Sequence, residues 1–309
     1  MSKTPAKTRI THFLAENGAL VGLVTLCIAL FIATPTFLTT KNLLNVGIQS
    51  ATTAILAFGM TFVIVTAGID LAVGSIAALG AMVCATMFTN VGLPGWLTLL
   101  IGLLIGLVAG AISGLGVAYG KLPAFIATLA MMSVARGLTL VISDGRPVAT
   151  APEVNVLGSS LGPIPVPVIM LVIAGLACWF ILTRTVLGRS MYAVGGNLEA
   201  ARLSGLPVQK ILVSVYALSG LLIAGRLASA QPTAATGYEM DAIAAVVIGG
   251  ASLAGGSGKA SGTLVGALLL AVIRNGLNIL NVNSFWQQVV IGCVIALAVG
   301  IDVLRRKTN

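Results

Sequence analysis

Five long stretches of this chain carry no charged side chain: Asn17 to Thr40, Asn42 to Ile69, Leu71 to Gly120, Val154 to Thr183 and Asn275 to Ile301. A helix of about 20 apolar residues crosses a hydrocarbon core. Each stretch therefore supplies one or two crossings, and the chain reads as an all-α protein of the bilayer. Charged residues are 8% of the 309, about a third of the fraction usual in soluble domains. Breaks at Lys41, Gly68 to Asp70, Pro94-Gly95, Lys121 to Pro123, Ser143 to Pro163, Arg184 to Lys210, Gln231 to Asp241, Gly255 to Lys259 and Asn281 to Ser284 divide it into about ten spans.

The net charge of +9 is placed as a membrane protein places it, not as a nucleic-acid binder would. With a cytoplasmic amino terminus, Lys3, Lys7, Arg9, Lys121, Arg184, Arg189, Arg202, Lys210, Lys259, Arg305, Arg306 and Lys307 fall inside. Only Lys41 and Arg146 fall outside, which is the asymmetry that orients cytoplasmic loops. An even count with both termini inside follows. The first span is too long, and too poor in small residues for cleavage, to read as a removed signal peptide. His12 lies in its amphiphilic lead-in and receives no role.

Gly102, Gly106, Gly110 and Gly114 recur every four residues along the fourth span, and Gly262 and Gly266 repeat the spacing in the ninth. Small residues at that interval let helix backbones approach in lipid. Cys27, Cys84, Cys178 and Cys293 sit in apolar runs without metal-ligand spacing. Gly255-Gly256-Ser257-Gly258-Lys259-Ala260 imitates a phosphate loop, but Leu253 and Ala260 stand where a glycine and a hydroxyl are required. It reads as a flexible connection. One histidine and no nucleophile set leave hydrolysis without candidates, so neither metal, cofactor nor catalytic residue is assigned.

Asp70 stands where two uncharged spans meet, flanked by Gly68 and Gly74. A charge in the bilayer is unfavourable by about 2.5–3.5 kcal/mol unless capped, paired or hydrated. Two readings stay open: Asp70 caps the third span as Asp241 caps the eighth, or it marks a hinge or gate on a solute path. Arg136 in the fifth span and Arg274 in the ninth, followed by Asn275 and Asn278, are candidates for that path. Snorkelling arginines with structural amides are the other reading.

Between Arg184 and Lys210 the chain turns basic and polar. Asn197 can cap a short helix, Gly205 can end it in a left-handed turn, and Pro207 prevents its resuming. Such a stub is too short to be stable alone, so its Ala200 and Ala201 face is expected to rest on a partner. The residues alone also allow an ordinary surface loop. Glu199-Ala200-Ala201, with Arg202 and then Gly205, resembles the signature that importer permeases of the ATP-binding-cassette (ABC) class present to their ATPase.

Further blocks extend the resemblance. Gly68-Ile69-Asp70-Leu71 with Val73-Gly74-Ser75, Phe125-Ile126-Ala127-Thr128-Leu129 with Arg136-Gly137, Gly195-Gly196-Asn197, and Ala230-Gln231-Pro232 followed by Gly237-Tyr238-Glu239-Met240-Asp241 resemble the ribose-type sugar permeases of bacterial importers, in order, over nearly the whole chain. The resemblance implies one transmembrane permease domain over residues 1–309 with the helical fold of the vitamin B12-type (type II) importers. It implies residues 184–210 as a coupling loop, a permease homodimer, two cytoplasmic ATPase subunits and a periplasmic sugar-binding protein. One departure stands out: between Ser219 and Arg226 the chain is about seven residues shorter than such relatives, although Ile211 to Ala230 can still cross. An ion-coupled transporter or channel is the rival class, and would need paired ionisable groups at mid-membrane. Within the importer class another pentose or hexose, a furanose signal molecule or a nucleoside stays open as cargo.

Overall fold

The computed structural model describes residues 18–224 and 230–308, so Lys3, Lys7, Arg9, His12 and Arg226 lie outside the described residues. The chain forms α1 (Gly18–Ala33), α2 (Thr40–Val65), α3 (Val73–Val91), α4 (Gly95–Ala118), α5 (Ala124–Ser143), the short α6 (Pro152–Asn155), a two-stranded hairpin of β1 (Ser160–Leu161) and β2 (Ile164–Pro165), α7 (Val166–Arg184), α8 (Val186–Gly196), α9 (Leu198–Leu203), α10 (Val208–Ala224), α11 (Tyr238–Ile248), α12 (Ala260–Ile279) and α13 (Ser284–Thr308). Six of these helices, α2, α3, α4, α5, α7 and α12, are long and apolar enough to cross a bilayer. The described parts of α1 and α10, and the Ser284–Leu297 part of α13, are apolar and shorter than these six. The eighth expected span is represented by α11, whose 11 residues reach about 16 Å at ~1.5 Å per residue, roughly half of a ~30 Å core.

α2 is the central pillar. From Ser50 to Val65 nearly every residue is buried, and α7, α10, α11 and α12 all pack on it. A helix apolar all round belongs in such a place. α5 and α7 instead turn Val134, Leu138, Val141, Ile173 and Leu176 outward, as lipid-facing helices do.

The glycine repeats carry close helix-to-helix contacts. A Cβ added at Gly106 would meet the Gly220 carbonyl, and one at Gly110 the Tyr216 carbonyl, so α4 and α10 touch backbone to backbone. Gly262 and Gly266 do the same for α12 against Gly249 and against Ala245 of α11. The expected close-packing faces are present, and they join the shorter helices α10 and α11 to full-length neighbours.

Candidate functional site

The turn between α2 and α3 is built around Asp70. Ala67 takes φ 61°, the Gly68 N–H bonds the Val63 carbonyl at 3.0 Å, and Asp70 Oδ1 accepts the Ala72 N–H at 2.9 Å. The helix begins after Ala72, which has no side-chain cap. Asp70 therefore fixes the approach to α3 and does not cap its first turn. Its Oδ2 is buried without a hydrogen bond, as are the hydroxyls of Tyr216 and Ser219 on α10. Gly68 is required here, because a Cβ would lie 2.6 Å from the Tyr216 hydroxyl.

Asp241 is likewise not a cap. Gly237, at φ 85°, holds the N-cap position of α11, and Asp241 lies three residues into the helix, where its Oδ2 accepts Arg274 Nη2 at 2.7 Å. Asp241 is almost fully buried while Arg274 is part-exposed. The pair places one compensated charge on the wall of two cavities.

Arg136 and Asn275 turn out to be held by their own chain. Arg136 Nη1 donates to the carbonyls of Pro232 (2.8 Å) and Ala234 (3.0 Å), pinning the segment before α11 to α5. Gly74 completes this docking, since a Cβ there would strike the Ala235 carbonyl. Asn275 and Asn42 exchange two side-chain hydrogen bonds, 2.9 and 2.8 Å, and Asn275 is buried. Arg274 and Asn278 do face open space. They line a cavity of about 400 Å³ together with Gln49, Thr53, Ser284 and Gln287. A neighbouring cavity of about 690 Å³ shares Arg274 and Asp241 and adds Gln288. Gln49, Thr53 and Gln287 escaped sequence reasoning; Gln49, an amide inside an uncharged span, was the available signal.

Outside the spans, residues 184–210 fold as the capping residues dictate. The Thr185 hydroxyl accepts the Gly188 N–H and starts α8. Asn197 Oδ1 accepts the Ala200 N–H at 2.9 Å and starts α9. Gly205, at φ 79°, ends it, with the Leu206 N–H returning to the Ala201 carbonyl. Glu199 and Arg202 pair at 2.7 Å on the exposed side, a surface contact worth about 0–1 kcal/mol. The Ala200 and Ala201 face divides: Ala201 is buried in this chain's own core and Ala200 is exposed. Two apolar side chains of α9 face outward, Leu198 in part and Leu203 at 89% exposure, and sequence reasoning passed over both.

The loop after α11 is hydrogen-bonded to α2 and α8. The Gly256 N–H bonds the Val65 carbonyl at 2.9 Å, and the Tyr192 hydroxyl of α8 donates to the Gly258 carbonyl at 2.7 Å. Burial raises the Tyr192 phenol above its ordinary pKa, so it stays a donor. Gly195 touches the Val65 carbonyl directly. Residues 184–210, the end of α2 and the 249–259 loop are thus one knit surface. Among the described residues, no three His, Cys, Asp or Glu side chains gather as metal ligands would.

Apolar helices of membrane length, with cavities between them and a capped, charged stub outside them, are the architecture of a multi-pass membrane protein. The family model described as branched-chain amino acid transport system / permease component matches residues 42–299, and the chain belongs to that family. It is 44% identical to the ribose import permease protein of Haemophilus influenzae, over 98% of this chain and 97% of that one. It is 47% identical to the ribose import permease protein of Escherichia coli K12, over 94% of each. It is 40% identical to the D-allose transport system permease protein of Escherichia coli K12, over 88% of this chain and 86% of that one. No solved structure matches. The chain is a multi-pass inner-membrane protein, the permease component of a transport system and not its enzyme.

Proposed function

We propose that this chain is the membrane-spanning subunit of an ATP-driven ABC importer that carries a monosaccharide, ribose or a close relative, into the cell. Full-length kinship with ribose import permeases is the observation that carries the reading. The polar cavities fit it: Gln49, Thr53, Asn278 and Gln287 offer neutral donors and acceptors to hydroxyl groups, beside one paired charge. Such a lining orients a sugar without holding it.

The domain spans residues 1–309 in ten crossings with both termini cytoplasmic and the helical arrangement of type II importers. α11 and the segments flanking it make up the eighth crossing, and the outward apolar faces of α5 and α7 meet membrane lipid. Residues 184–210 form the coupling loop. Asn197, Glu199, Ala200, Ala201, Arg202 and Gly205 shape α9, and the ATPase subunit receives its exposed side. A second permease copy completes the path, and a periplasmic sugar-binding protein delivers the cargo. ATP-driven closure of the ATPases displaces α9 as a rigid lever; α8, knit to the end of α2, passes the displacement to the Gly68, Asp70 and Gly74 turn, and α11 with Asp241 follows. Access then alternates across the membrane.

Reconstitution with the ATPase subunit and the binding protein tests this. Labelled ribose should enter proteoliposomes only with ATP and all three components. Uptake by the permease alone, driven by an ion gradient, would overturn the reading.

A further inference from the structure

Tyr238 lines three separate cavities. Two are the cavities described above, which share Arg274 and Asp241. The third, about 240 Å³, is walled by Leu56 of α2, by Ala77, Ala78 and Ala81 of α3, by Gln231, Ala234 and Ala235 of the segment before α11, and by Tyr238 itself. Thr52 and Tyr238 line both this chamber and the 400 Å³ cavity, so the two adjoin along α2.

The position of the ring is built in. Arg136 holds the carbonyls of Pro232 and Ala234, Gly74 admits the Ala235 carbonyl against α3, and Gly237 makes the left-handed entry into α11. Tyr238 is the first residue after these restraints. The chamber behind it is smaller than the ~300–1,000 Å³ that accommodates drug-sized ligands, and its depth is set by three alanines, so it takes one ring-sized solute. Among the described residues no charged side chain lines it, whereas Arg274 and Asp241 line the other two cavities. An ionised solute entering it would lose water without gaining a counter-charge.

We propose that Tyr238 is the threshold of the solute path and that the chamber behind it is an occlusion site for one uncharged monosaccharide. The aromatic face takes the apolar C–H face of the sugar ring, and the phenol and the Gln231 amide meet its hydroxyls. Sugar acids and sugar phosphates are refused at this step. Selectivity for neutral cargo is therefore held in the permease as well as in the soluble protein that feeds it. This rests on the importer reading.

The complete importer in proteoliposomes provides the test. Tyr238→Ala and Ala234→Phe, which remove the threshold and fill the chamber, should each lower ATP-dependent ribose uptake at least tenfold while the complex assembles at normal yield. Tyr238→Phe should stay within about threefold of the parent. If the parent itself takes up no sugar with ATP, the importer reading fails. If the parent transports and both Tyr238→Ala and Ala234→Phe transport within twofold of it, the chamber proposal fails alone. A second measurement does not depend on those variants folding: Gln231→Cys, in a background with Cys27, Cys84, Cys178 and Cys293 replaced, should label with a small thiol reagent. Ribose should slow that labelling at least threefold and ribonic acid should not. Equal protection by both, or by neither, would overturn the proposal.

Discussion

Arg274 Nη2 donates to Asp241 Oδ2 at 2.7 Å, and this contact ties α12 to α11 along a wall shared by two cavities. Asp241 is nearly closed off from solvent, so its charge depends on Arg274. Arg274→Ala is expected to lower stability in detergent by about 1.5–3 kcal/mol, the range for hydrogen bonds to charged groups. Arg274 is part-exposed, so the low end applies. Pairing Arg274→Ala with Asp241→Ala should recover part of the loss. A double-mutant cycle reads this directly: a coupling of at least ~0.5 kcal/mol is expected, and additivity would show that the pair is idle.

Asn275 and Asn278 sit one turn apart on α12 and are expected to behave differently. Asn275→Ala removes both reciprocal bonds from half-buried Asn42, which keeps its bond to the Phe37 carbonyl, so a loss near the low end of about 1–3 kcal/mol is expected. It should lower the unfolding midpoint while uptake per folded transporter stays near normal. Asn278 lines open space, so Asn278→Ala should spare the midpoint and alter uptake. The reverse assignment of effects would return Asn275 to the path.

Gly195 and Gly196 are neighbours with opposite expectations. A Cβ at Gly195 would enter the Val65 carbonyl and come within 2.7 Å of the Gly256 amide, while one at Gly196 meets nothing within 4 Å. Gly195→Ala should therefore separate α8 from the end of α2 and reduce folded yield severalfold. Gly196→Ala should be neutral in yield. Comparing the two by fluorescence-detected size exclusion checks the contact, and equal yields would show that it can be relaxed.

The sequence displayed what the bilayer and backbone geometry impose locally. Uncharged runs of crossing length became α2, α3, α4 and α7, the glycine repeats became helix contacts, and Asn197 and Gly205 bounded α9. What depends on distant partners was not legible. Asn275 shares a helical stripe with Asn278, and nothing near it announces a partner 233 residues away. Arg136 carries the same formal charge whether it faces a solute or, as here, two carbonyls across the fold. α11 is short because glycines at 237, 249 and 250 bound it, although the surrounding run is apolar enough to read as a full span. Ala200 and Ala201 are adjacent in sequence, and only the docking of α9 on α8 and α10 decides which is buried.

That docking leaves Leu203 as the most exposed large apolar side chain of the molecule's described part, at 89%, on a six-residue helix whose own charges, Glu199 and Arg202, already pair with each other. An aliphatic side chain buried in an interface contributes about 1.5–3 kcal/mol, so Leu203→Ala should weaken the permease–ATPase complex by roughly tenfold or more. Gly205→Val tests a different property. Its φ of 79° disfavours a β-branched residue by about 1–3 kcal/mol, which should loosen the end of α9 without removing the docking side chain. Leu203→Ala is thus expected to lose association, measured by co-purification. Gly205→Val is expected to keep association and lose uptake per ATP hydrolysed. Should both variants bind the ATPase and couple as the parent does, residues 184–210 play no part in transmitting force.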